Sequence, residues 1–167
     1  IAFAGLCCGL SALSPQQKEV GAVLIDLGAG TTDYVVYSDK LVIAAGSIGV
    51  GGDHVTNDLA VGLNLSTTQA ERLKVEYGAA MVDLGARGRR IAIPPESGFR
   101  AQEVLSRDVN TVMHARMDEI FDLVKKRLGP EVMKRNFGAG VVLTGGGARM
   151  TRVQDLASRV FEMPCHV

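Results

Sequence analysis

Cysteine is scarce in this 167-residue chain, and its scarcity sets the first limits. Cys7 and Cys8 are adjacent and Cys165 stands far away, a pattern that matches no metal spacing and makes a poor disulfide framework. A reducing cytoplasm is the simplest inference. Net charge is lacking too. Eighteen basic residues balance eighteen acidic ones, so no global field draws the chain to nucleic acid or to an anionic membrane. The local exceptions are Arg87-Gly88-Arg89-Arg90 and Lys125-Lys126-Arg127, and the second reads as a solvated helix end, where the dipole favours cations. No apolar run reaches the roughly eighteen residues that span a bilayer. The apolar opening from Ile1 to Leu13 lacks the basic start of a signal peptide. No useful repeat is visible: Asp83-Leu84-Gly85-Ala86 echoes Asp26-Leu27-Gly28-Ala29, but Arg87-Gly88-Arg89 follows where the first has Gly30-Thr31-Thr32.

What is present is an ordinary globular composition, 47% hydrophobic and 22% charged, enough for one sizeable core or two small subdomains. Within it, Val23-Leu24-Ile25-Asp26-Leu27-Gly28-Ala29-Gly30-Thr31-Thr32-Asp33 stands out. An apolar strand ends in a glycine turn whose backbone lets an anion approach, and Thr31 and Thr32 add hydroxyl donors. Asp26, at the strand end, is placed to hold a hydrated magnesium ion through water. Alone, this turn also fits a tight hairpin. A second strand-then-glycine element, Val141 to Arg149, argues for the phosphate reading. Its Gly145, Gly146 and Gly147 allow a flat base to lie on bare backbone, with Arg149 available to stack or to reach a phosphate. Between the two elements, Glu71 and Lys74 share one helix face. Read from spacing alone, that pair also fits a surface ion pair. Gly51, Gly52 and Asp53 fit either a phosphate wall at a helix N-terminus or simple capping by Asp53.

The periodicities predict a close-packed helix holding Leu6, Leu10 and Leu13 and ending by Ser14-Pro15, its small residues letting another backbone approach. Strands follow over about 20–26, 31–37 and 41–48, forming an antiparallel meander. Helices are expected over about 54–63, and from a Ser66–Gln69 capping box to Gly78. Residues 81–97 read as a small sheet with loops. A long helix is predicted over about 100–128, stopped by Gly129-Pro130. Off its apolar stripe, Arg116 and Glu119 lie one turn apart and are expected to face solvent or a partner. A strand at 140–144, a helix at 151–161 and a short strand at 165–167 complete the reading. His54, His114 and His166 are read as surface or capping residues, and the six methionines as core fillers.

The order of these elements resembles the actin and sugar-kinase superfamily of ATPases. The stretch Ser47-Ile48-Gly49-Val50-Gly51-Gly52-Asp53-His54-Val55-Thr56-Asn57-Asp58-Leu59-Ala60, with Ala70-Glu71-Arg72-Leu73-Lys74 after it, narrows this to a resemblance to the FtsA family of bacterial actin homologues. The resemblance implies an α/β fold: an actin-like ATPase (ribonuclease H-like) core with a mixed sheet and flanking helices, plus a small inserted α/β subdomain. It divides the chain into a linking helix (1–13), a core subdomain (14–80 and 138–167) and an insertion (81–137), which would be the second half of such a molecule. It implies ATP and Mg²⁺ as ligands. Glu71 and Lys74 would reach the nucleoside, and Gly145 to Gly147 would lie against adenosine. Arg116 and Glu119 match a helix that docks the C-terminal tail of the tubulin homologue FtsZ. Expected partners are that tail and further copies in actin-like filaments. The membrane would be reached from its cytoplasmic face, through a segment not in this sequence. Hydrolysis would be secondary, and half a clamp would do little of it. A pilus-assembly scaffold resembling PilM and a kinase-type ATPase are the alternatives.

Overall fold

The computed structural model describes residues 3–82, 88–96 and 98–167. The central strand, β1, is Ala22–Leu27, an apolar run buried on both faces that needs no polar alternation. Thr32–Ser38 (β2) and Leu41–Ile48 (β3) extend the sheet as the expected antiparallel meander. Asp39 and Lys40, at φ 51° and 66°, make the two-residue turn between them. On the opposite edge of β1, Val141–Thr144 (β6) pairs in parallel, and Cys165–His166 (β7) pairs in parallel with β6. The five-stranded mixed sheet therefore runs β3-β2-β1-β6-β7.

Alternate residues of β1 face two layers. Ala22 and Leu24 join Val35, Tyr37 and Val142 beneath a helix, α1, at Ala4–Ala12; Val23, Ile25 and Leu27 enter the main core. As expected, α1 approaches the sheet through its small residues. A Cβ on Gly9 would lie 2.9 Å from the Tyr37 ring, and one on Gly5 3.4 Å from the Asp33 Cβ. Of the three leucines, Leu13 is buried, while Leu6 and Leu10 face outward. A short helix that the periodicity missed, Pro15–Val20 (α2), follows, opened by reciprocal bonds between Ser14 and Gln17. Residue 20 belongs to this helix, so β1 starts two residues later than predicted.

The main core is covered by Gly52–Gly62 (α3), Thr67–Tyr77 (α4), Ser106–Met133 (α5) and Val153–Phe161 (α6). The Ser66–Gln69 capping box opens α4 with two 3.0 Å bonds, and Gly78 ends it, as read from the sequence. Arg90–Ile93 (β4) pairs antiparallel with Gln102–Leu105 (β5) in a separate two-stranded sheet. This corrects the predicted start of the long helix. Residues 102–105 are extended because they are paired with β4, and helix begins only where the Ser106 N–H has donated to the Arg89 carbonyl at 2.9 Å.

The apolar stripe of α5 is buried at Val109, Met113, Met117, Ile120, Val124 and Leu128. Gly129, at φ 74° and ψ 165°, breaks the helix where the Gly-Pro signal placed its end. In the basic run, Lys125 is not merely solvated: its ammonium donates to the Val160 carbonyl at 2.6 Å, satisfying the end of α6. Among the described residues, no helix is long and apolar enough to cross a membrane. The echo at Asp83-Leu84-Gly85-Ala86, Arg87 of the basic run, and residues 1–2 of the predicted linking helix lie outside the described residues.

Candidate functional site

The glycine turn after β1 closes on itself, the Gly28 N–H donating to the Thr31 carbonyl at 3.0 Å. Next in line, the N–H groups of Ala29, Gly30 and Thr31 make no hydrogen bond among the described residues. They are the donors this turn leaves for an anion. The Gly28 and Ala29 carbonyls are held from the other side, by the Gly52 and Asp53 N–H groups at 2.9 Å each. Such an approach requires glycine at 51, since a Cβ there would fall 2.5 Å from the Ala29 oxygen. Gly51 is also the N-cap of α3, its N–H donating to Nδ1 of His54 at 3.2 Å. Asp53 therefore does not cap the helix. It sits exposed in the first turn, where its charge complements the dipole. With the N–H groups of 51, 52 and 53 all engaged, these residues present a backbone wall rather than open donors.

Thr32 departs from expectation in the same way. Fully buried, its hydroxyl donates to the Val50 carbonyl at 2.9 Å and ties β2 to the segment before α3. Thr31 remains exposed. Asp26 is half-buried, and its Oδ2 accepts the Cys8 thiol of α1 at 3.0 Å. That bond, helped by burial and the Asp26 charge, pushes the Cys8 thiol up to about 11. The other carboxylate oxygen lies against Gly145, which is at φ 85° and where a Cβ would strike Oδ1. Only glycine suits that position on both counts.

On α4, Lys74 and Glu71 form the expected ion pair at 2.7 Å, but the lysine is largely buried, its side chain 14% exposed. Its ammonium also donates to the Gly52 carbonyl at 3.1 Å and to the Thr56 hydroxyl at 2.8 Å. Thr56 in turn donates to Glu71. Burial works to raise the Glu71 carboxyl; the bonds from Lys74 and Thr56, with the lysine's charge, outweigh it and hold the group below the usual carboxylate range. No spacing in the sequence pairs Thr56 with these groups, because its partners lie 15 and 18 residues away.

Gly146–Arg149 forms a single tight turn after β6. It brings the third element to the others: Gly28, Thr32, Gly51, Gly52, Glu71, Lys74, Gly146, Gly147 and Arg149 line one cleft of about 380 Å³, with Met117 and Ile120 of α5 beneath. Asp26, Gly30, Thr31 and Gly145 do not line it. Gly145 instead borders a second depression shared with Gly146 and Arg149.

Arg116, outside the cleft, corrects a further expectation. It does not project into solvent but grips Asp58 of α3 with Nε at 2.6 Å and Nη2 at 3.0 Å, and reaches Glu119 with Nη1 at 2.5 Å. The Asp58 bond is the main reason its guanidinium stays firmly protonated. Glu119 is the exposed member.

A sequence model of the cell division protein FtsA family matches residues 23–167. The chain belongs to that family. Cell division protein FtsA of Pseudomonas aeruginosa is 34% identical over 159 residues, covering 95% of this chain and 38% of the relative. The Escherichia coli FtsA is 29% identical, covering 95% and 40%. This chain thus spans about two fifths of the length of these FtsA relatives. Among solved structures, MreB5 of Spiroplasma citri bound to ADP superposes with a TM-score of 0.77 at 24% identity, over 99% of this chain and 54% of that one. The PilM-PilN type IV pilus biogenesis complex superposes at 0.67 with 17% identity, over 98% and 39%. Both likenesses establish the actin-like fold and no more.

Proposed function

We propose that this chain is the ATP-binding half of an FtsA-like actin homologue that polymerises and tethers an FtsZ division ring to the membrane. The observation that carries the nucleotide reading is the meeting of Gly28, Lys74 and Gly146 on one cleft, from loops spread over more than a hundred residues of sequence. The donor set fits the ligand. The free N–H of Ala29 on the cleft, with those of Gly30 and Thr31 next along the chain, suits phosphate oxygens, Glu71 held by Lys74 suits the sugar, and the bare backbone at 146–147 suits a flat base. Arg149, exposed beside that backbone, is placed to stack or pair with phosphate.

Magnesium fits as a hydrated ion. Among the described residues no three metal-binding side chains cluster, whereas Asp26 offers one carboxylate with an oxygen not taken by Cys8. Bound there, the ion would neutralise phosphate charge. The MreB5 neighbour's ADP supports a nucleotide in this fold.

The division into 14–80 with 138–167 and an insertion at 81–137 belongs to the same proposal. So does docking of an FtsZ C-terminal tail at Arg116 and Glu119, with Glu119 presenting the accessible charge. Residues of the remaining three fifths of such a protein would close the cleft. Calorimetric titration of Mg-ATP into the chain tests the reading: binding weakened about tenfold or more by Lys74→Ala is expected, and no binding by the unaltered chain sinks it.

A further inference from the structure

We propose that Thr56 is a positioning residue that lets the cleft tell ribose from deoxyribose; this rests on the nucleotide reading above. The side chain is buried, 4% exposed, on the face of α3 turned toward α4. Its hydroxyl accepts from the Lys74 ammonium at 2.8 Å and donates to Oε2 of Glu71, with the Gly52 carbonyl a competing acceptor at 3.2 Å. All three ammonium hydrogens of Lys74 are thereby accounted for by Gly52, Thr56 and Glu71. The lysine contributes its charge and holds the carboxylate, with no donor left for a ligand.

Every bond of Glu71 among the described residues ends on Oε2. Oε1 is left as an acceptor on a side chain half exposed to the cleft. A vicinal diol brings two O–H donors, and one carboxylate oxygen with two lone pairs takes both. Where that oxygen sits is set jointly by Lys74 and, from α3, by Thr56, although Glu71 belongs to α4. Removing the hydroxyl leaves Oε2 held by Lys74 alone, and the carboxylate can swing about that single bond, so the contact to the second hydroxyl of the sugar is lost first.

The test compares ATP with 2′-deoxy-ATP, titrated calorimetrically into the 167-residue chain and its variants. The unaltered chain is expected to prefer ATP by about tenfold, the size of one hydrogen bond to a charged acceptor. Thr56→Ser keeps that preference. Thr56→Val, which preserves shape, drops it to about twofold or less by weakening ATP and sparing the deoxy form. An unchanged preference in Thr56→Val overturns the inference while leaving the nucleotide reading intact. If the unaltered chain binds neither nucleotide, that reading falls and takes the inference with it. Should thermal melting show Thr56→Val unfolded, Thr56→Cys, of similar volume and with a weaker hydrogen-bonding group, is judged by the same ratio.

Discussion

Glu71–Lys74 on α4 and Arg116–Glu119 on α5 look alike in sequence, each an acid and a base three residues apart, yet the structure uses them differently. Both cations find a third partner on α3: Thr56 for Lys74, Asp58 for Arg116. Lys74 lies 14% exposed at the wall of a cleft, and its group is closed on itself around a neutral hydroxyl. Arg116 makes a two-pronged clamp on a carboxylate, joining two helices away from the cleft. Equal spacing therefore says only that two side chains share a helix face. What they do is set by the residue the neighbouring helix supplies.

The comparison can be pressed hardest by removing each cation. Lys74→Met strands Thr56 and Glu71 at a half-buried site and is expected to cost about 2–3 kcal/mol in urea denaturation. Arg116→Met, which leaves a half-exposed Glu119 and an Asp58 still reached by water, where the Lys74 site leaves the buried Thr56, costs about 1–2 kcal/mol. The reverse order would mean that the α3–α5 clamp, and not the cleft corner, is the tighter of the two. A double-mutant cycle of Arg116→Met with Asp58→Asn sharpens this, with a coupling of about 1 kcal/mol expected. Coupling near zero would demote the clamp to a surface pair. Smaller still is Glu119→Gln, within about 0.5 kcal/mol, because that carboxylate is exposed.

Acid probes the Lys74 group directly. The Glu71 carboxyl titrates lower in the folded chain than its unfolded value of about 4.3, so its stabilisation is complete above that value and is lost as pH falls through the folded one. Melting temperatures of the unaltered chain and Glu71→Gln should converge as pH drops from about 6 to 3. A constant gap across that range would contradict the network around Thr56.

Local signals made much of this fold legible. The apolar run of β1, the glycine turn, the Ser66–Gln69 box, the stripe of α5 and its stop at Gly129 each depend on residues close in sequence, and each stands where it is read, apart from the two-residue later start of β1. The actin-like class came from the resemblance that the order of those pieces carries. What was not legible depends on distant pairing. Gln102–Leu105 is a strand only because Arg90–Ile93 lies beside it, and α2 is too short for a period to show. Gly28, Gly51, Gly52, Gly146, Gly147 and the Glu71–Lys74 pair line the cleft, Gly30 and Gly145 do not, the partners of Thr56 were hidden, and the Thr32 hydroxyl turns to the Val50 carbonyl instead. Both errors have one cause: a hydroxyl's partner is chosen by packing, and packing between α3, α4 and β2 leaves no mark on spacing.

The two 2.9 Å bonds from the start of α3 to the Gly28 and Ala29 carbonyls have a mechanical consequence. They fasten the turn to the helix like a crank to its shaft, and Asp58, further along the same shaft, is gripped by α5. Turn, helix and clamp thus form one unbroken path of bonds from the cleft to α5.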